Sequence, residues 1–201
     1  MVQNDGPDAP KRVGRSTGEN AKLELRRRSG LFVVEVARAT LDGLLPINQI
    51  GIRKSLKANH RLDLAPSQST HIVSILIEEY YGKRWLRTEG HRVYLYSEET
   101  TLVDAAAIRA LFLAKELVDG DDQLSGDEWI ATCEKKLNCS TTDCETYLSD
   151  FVSCGYVHED TRKESKTLRL DLRAIGEDDF YLQQAAKAGL NKRVPRTKRP
   201  K

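Results

Sequence analysis

The sequence has no apolar run long enough to cross a bilayer. Its longest stretches, such as GLFVVEVA at 30–37, fall far short of the roughly 20 residues a span requires. The opening segment, MVQNDGPDAPKRVGR, has no apolar signal-peptide core, so the expected location is intracellular: cytoplasm, nucleoid or nucleus, with no membrane partner. Aromatic residues make up 6% of the chain, and no platform for stacking single-stranded nucleic acid is evident. Catalytic signatures are missing too. There is no phosphate-binding glycine loop, no H-E-x-x-H and no G-x-S-x-G. The carboxylate pairs Glu78–Glu79 and Asp178–Asp179 are adjacent in sequence and would point apart on a helix. No enzyme and no cofactor is expected.

Four cysteines, Cys133, Cys139, Cys144 and Cys154, fall within 22 positions, spaced C-x5-C-x4-C-x9-C. A zinc knuckle needs a C-x2-C pair, which is absent, and His158 could join only as a stray fifth ligand. In helical register Cys144 and Cys154 read as small core residues, the usual place of a free thiol. No metal site is expected.

What the chain does have is charge, and the charge is unevenly placed. Charged residues make up 31% of the sequence against 39% hydrophobic, with mean hydropathy −0.53. The net charge of +2 divides into +3 for residues 1–28, +1 for 29–100, −8 for 101–191 and +6 for the last ten residues. Such asymmetry points to different partners for the different parts.

Between the ends, one pattern of elements occurs twice. In the first copy, SGLFVVEVARATLDGL keeps helical spacing through Phe32, Val33, Val36, Ala37 and Leu41. LPINQ suits a short strand. IGIRKSLKANHRLDL is a second helix running into a loop, with Ile50, Ile52 and Leu56 inward. SQSTHIVSILIEEYYG is a third, with Pro66 just outside, Ser67 or Ser69 as cap, and Ile72, Val73, Leu76, Ile77 and Tyr80 facing the core. KRWLRT and HRVYLYS then form a hairpin across EG. In the second copy, LVDAAAIRALFLAKELVDG is a helix closed by Gly120. SGDEWIATCEKKLN is another, with Ser125 and Glu128 spaced as a capping box. STTDCETYLSDFVSCG repeats the logic, with Thr142 and Glu145 as box and Cys144, Tyr147, Leu148, Phe151 and Val152 along one face, before Gly155. YVHED pairs with KTLRLDL across a charged tip. A last segment, GEDDFYLQQAAKAGL, carries Phe180, Leu182 and Ala185 or Ala186 on an incomplete apolar face. That face can pack on the module or join a second copy.

Helix, strand, helix, helix, glycine and a two-stranded wing, twice over, resembles the winged-helix (winged helix-turn-helix) superfamily in tandem. The resemblance covers about residues 25–175 and is clearest in YLSDFVSCGYVHEDTRKESKTLRL. It implies a mainly α fold with small β-hairpins (α+β). The expected layout is a disordered basic arm 1–24, winged-helix domains 25–100 and 101–175, a helix 176–190 and a basic disordered tail 191–201.

In a DNA-reading winged helix the third helix lies in the major groove and the wing touches phosphates. The resemblance therefore points to Ser67, Gln68, Ser69, Thr70 and His71 as readers. Arg53, Lys54 and Lys57 on the preceding helix, and Lys83, Arg84, Arg87 and Arg92 on the wing, would meet the backbone. In the second copy the wing cations Arg162, Lys163 and Lys166 are diluted by Glu159, Asp160 and Glu164. Its third helix carries Asp143, Glu145 and Asp150, which repel phosphates and suit a protein partner or a second copy. In the tail, Lys192, Arg193, Arg196, Lys198, Arg199 and Lys201 can each neutralise a phosphate. The expectation is a non-enzymatic double-stranded-DNA-binding protein, with the first module and the basic ends on DNA and the acidic second module on protein. The alternative is an adaptor subunit in which both modules bind protein.

Overall fold

A computed structural model describes residues 17–43, 47–118, 120–160 and 166–191. It shows one element order twice. The first pass is α1 (Thr17–Leu41), β1 (Ile47–Asn48), α2 (Gln49–His60), α3 (Pro66–Ile77), β2 (Leu86–Glu89) and β3 (Arg92–Leu95). The second is α4 (Ala105–Leu117), β4 (Gln123–Ser125), α5 (Gly126–Leu137), α6 (Thr141–Ser153), β5 (Val157–Asp160) and β6 (Thr167–Leu170). Then α7 (Leu172–Glu177) and α8 (Asp179–Ala188) close the described chain. Each pass builds a three-stranded antiparallel sheet with its last strand in the middle, ordered β1-β3-β2 and β4-β6-β5. The fold is mixed α+β and mostly helical. Among the described residues no helix is long and apolar enough to cross a membrane.

Local chemistry explains most of the boundaries and corrects several expected ones. α1 starts at Thr17, inside the stretch 1–24 expected to be an arm. Its early turns hold themselves with ion pairs from Glu24 to Arg28 (2.8 Å) and Arg27 (3.4 Å), which are not an apolar stripe. In α2, Ile52 and Leu56 are fully buried, whereas Ile50 faces outward, 55% exposed, because Asn48 caps the helix one residue earlier. Pro66 occupies the first turn of α3, where a missing N–H costs nothing, and neither Ser67 nor Ser69 is the cap. Gln68 instead reaches back, its Oε1 accepting from the Ala65 N–H at 3.0 Å. Ile77, expected inward, lies at the helix end and is 36% exposed.

In the second half Ser125 caps α5 as expected, accepting from the Glu128 N–H at 3.4 Å. For α6 the box is Ser140 with Asp143, two residues before the expected Thr142–Glu145 pair. The helix consequently buries Cys144, Leu148 and Phe151 but leaves Val152 46% exposed. Gly155 takes the left-handed turn after α6 at φ 72°. Strand β4, which pairs Gln123 with Arg169 and Ser125 with Thr167, was not anticipated.

One continuous apolar core runs through both halves, and α8 is what joins them. α8 lies against both α1 and α4. Tyr181 is 3% exposed: its ring meets Trp85 edge-on at 5.0 Å, and its hydroxyl donates to the Leu102 carbonyl at 2.6 Å. A Cβ placed on Gly30 would sit 3.4 Å from the Tyr181 nitrogen, so the two helix backbones pass at ordinary contact distance. Below them a buried carboxylate, Asp178, accepts from the Tyr156 hydroxyl at 2.5 Å and from Lys83 Nζ at 3.2 Å. Burial pushes this carboxyl above its usual range, against the opposing pull of Lys83 and Tyr156. Arg26 adds a guanidinium that donates to the Gly176 and Glu177 carbonyls. Of the apolar face expected on this segment, Leu182 and Ala185 are buried inside the molecule, while Phe180 and Ala186 are half-buried.

Candidate nucleic-acid interface

Three parts of the first half converge at one end. Gln49, in the first turn of α2, touches the start of α3: its Oε1 accepts from Ser69 Oγ at 3.2 Å and lies 3.5 Å from Thr70 Oγ1. Asn48, the α2 cap, is the sheet neighbour of Arg92, whose backbone stands opposite Glu89 in strand register at the hairpin end. The N-terminal turns of α2 and α3 and the tip of the β2–β3 hairpin therefore lie together. Arg53, four residues after Gln49, falls on the same side of α2.

The expected readers are divided by this geometry. Ser69 is fully buried and ties α3 to α2, so it cannot touch a base. Gln68 is engaged as the helix cap, and Thr70 donates to the Pro66 carbonyl at 3.1 Å. Ser67 and His71 are exposed on the outer side of α3. Burying the serine follows from its place in the sequence: it stands three residues before Ile72 and four before Val73, on the stripe that faces the core.

The expected phosphate contacts divide likewise. Lys83 is a correction: with 16% of its side chain exposed it is consumed between the halves, paired to Asp178 and 4.0 Å above the Trp85 ring. Lys57 pairs with Asp63 at 2.5 Å and Arg87 pairs with Glu89, both on the surface, where such pairs are weak and can reopen. Arg53, Lys54, Arg84 and Arg92 have no carboxylate partner among the described residues. Arg84 leans over the Tyr96 ring at 5.9 Å and Arg87 over Tyr94 at 4.5 Å. Lys166 pairs with Glu159 at 3.3 Å. Arg162, Lys163, Lys192, Arg193, Arg196, Lys198 and Arg199 lie outside the described residues.

The equivalent end of the second half has the opposite character. Asp143 Oδ2 accepts from the Ser140 N–H at 2.8 Å and from its hydroxyl at 2.7 Å. These bonds hold the Asp143 carboxyl below its usual range, so it stays charged at the helix start. Glu145 is exposed one turn away. Asp150, two turns on, lines a cleft of about 460 Å³ between the halves, together with Glu98, Glu99, Ala37, Leu41 and Val103.

Three of the cysteines, Cys133, Cys139 and Cys144, lie near one another, and Cys154 stands apart. Cys133 and Cys144 are buried side by side, and burial pushes the Cys133 thiol up to about 12. Cys139 Sγ lies 4.0 Å from the Tyr147 hydroxyl, and Cys154 Sγ 3.6 Å from the Glu99 carbonyl. Among the described residues no three His, Cys, Asp or Glu side chains are placed to hold a metal ion.

A second polar cluster, missed in the sequence, sits inside the first half. Glu35 of α1 is 2% exposed, with His60 Nε2 at 2.7 Å, Asn59 Nδ2 at 3.1 Å and Arg38 Nε at 3.4 Å. It pins the end of α2 to α1. The charge inside GLFVVEVA was the available signal, since a buried carboxylate must find partners. No protein-family model, curated protein or solved structure matches this chain.

Proposed function

We propose that the chain is a tandem winged-helix protein that binds duplex DNA through its first module and a protein partner through its second, without catalysis. The supporting observation is the convergence of the α2 and α3 N-termini with the hairpin tip, where Arg53, Lys54 and Arg92 stand without carboxylate partners; Arg84, also without one, lies at the other end of the hairpin. With Ser69 buried, and Gln68 and Thr70 exposed but bonded to their own helix start, Ser67 and His71 are the residues freest to read bases. Binding is then dominated by phosphate contacts, with modest sequence discrimination. The second module, at −8 with Asp143 and Glu145 outward, suits a basic protein surface or a second copy.

The test is fluorescence anisotropy of the full-length chain on duplex DNA across a salt series, against the Arg53→Ala/Lys54→Ala variant. The ends are the same in both proteins, so any change reports on α2. The expected result is weaker binding and a salt slope lowered by about 0.9 for each phosphate that is no longer neutralised. Unchanged affinity and slope would favour the second reading, an adaptor subunit whose folded part binds proteins. The burial of Ser69 and the local hydrogen bonds of Gln68 and Thr70 are the observations that speak for it.

A further inference from the structure

The outer face of the first sheet carries two tyrosines, Tyr94 and Tyr96, that the duplex reading does not use. Alternation along β3 sends Val93 and Leu95 inward, 1% and 5% exposed, and turns Arg92, Tyr94 and Tyr96 the other way. On β2, Arg87 is the register partner of Tyr94 and Glu89 that of Arg92, so these four share the face. Arg84 joins at the near end, over the Tyr96 ring. Tyr96 is 46% exposed. Two residues apart on a strand, the tyrosines are about 7 Å apart. The face holds two rings, three guanidiniums and one carboxylate.

We infer that this face binds single-stranded nucleic acid, with bases stacking on Tyr94, Tyr96 and the guanidinium planes, and phosphates meeting Arg84 and Arg92. Charge alone admits any polyanion, and the rings decide among them. A base has a π-face to lay on a tyrosine or an arginine plane. A carboxylate gains nothing from a ring whose face is itself negative. A duplex keeps its bases stacked inside and cannot offer them to a flat sheet. The two readings share the cations Arg84 and Arg92, and the inference adds the rings of Tyr94 and Tyr96, so the tyrosine variants separate one from the other.

The experiment uses the full-length chain, fluorescein-labelled (dT)20 and a matching duplex at near-physiological salt. Tyr94→Ala/Tyr96→Ala should weaken strand binding on the order of tenfold or more and leave duplex binding within about twofold. Tyr94→Phe/Tyr96→Phe keeps the rings and should keep strand affinity. Because Tyr94 is half-buried, Tyr96→Ala alone, at an exposed position, serves if the double variant misfolds. A 2-aminopurine base in the strand should be quenched by the parent and not by the alanine variant. Strand affinity unchanged in the alanine variants would overturn the inference. So would an equal loss on strand and duplex, or displacement of the strand by poly-glutamate from parent and variant alike, which would mark the face as a site for acidic peptides.

Discussion

Replacing Tyr181 tests whether the two halves are one cooperative body. The side chain is 3% exposed and touches both halves, Trp85 by its ring and the Leu102 carbonyl by its hydroxyl. Removing a buried aromatic side chain costs about 3–5 kcal/mol. Leaving the Leu102 carbonyl without a donor adds about 1–3 kcal/mol. Tyr181→Ala should therefore lose about 5 kcal/mol, comparable with the whole stability of a small domain. Tyr181→Phe isolates the hydroxyl and should lose about 1–3 kcal/mol. The chain supplies its own reporters: Trp85 stands in the first half and Trp129 in the second, where it packs on Phe151 at 5.8 Å. Urea unfolding is followed by tryptophan fluorescence in Trp129→Phe and Trp85→Phe backgrounds, each leaving one reporter. With Tyr181 intact, or changed to Phe, the two midpoints should coincide. With Ala they should separate, because the Trp129–Phe151 core does not depend on the missing ring. Separate midpoints in the Tyr181 background would refute the reasoning, as would a Tyr181→Phe cost below about 0.5 kcal/mol.

Two further outcomes follow from buried groups and close approaches. Asp178 has its folded pKa raised by burial, so its contribution to stability is fully present below the unfolded value of about 3.9 and is lost as pH rises through the folded value. Tyr156→Phe removes a hydroxyl that favours the ionised form and raises that pKa further. Its penalty in urea unfolding should be about 1.5–3 kcal/mol at pH 7.5 and shrink as pH falls through the folded value of Asp178, and a penalty constant across the acid range would refute the assignment. Two glycines should respond with opposite signs in thermal unfolding. Gly30→Ala meets nothing closer than 3.4 Å and replaces a mid-helix glycine, so Tm should rise, by up to about 1 kcal/mol in stability. Gly126→Ala would put its Cβ 3.0 Å from the Lys166 carbonyl, which accepts the Gly126 N–H at 2.8 Å, so Tm should fall. The same sign at both positions would contradict the packing.

By itself the sequence determined most of the elements and their order, though not β4 or the division of the last helical segment into α7 and α8. Helical spacing at Ile72, Val73 and Leu76, caps such as Ser125, and alternation in HRVYLY and KTLRL are local properties written in neighbouring residues. The exact caps slipped by a residue or two, as at Ser140, because several serines and threonines offer equivalent oxygens. The first module's cations were legible as residue types, but their availability was not. Lys83 and Arg84 are neighbours in sequence, yet one is bound to Asp178, 95 positions away, while the other lies over an exposed ring. Nothing in a composition of 6% aromatics says that Tyr94 and Tyr96 share a face with three arginines, since that depends on strand register. The tertiary structure alone decided that α8 fills the seam between the halves, fixing Asp178 and Tyr181 inside and settling which charges remain for a partner. Pairings across such sequence separations depend on how apolar faces distant in the chain bury one another, and no short window of residues encodes that.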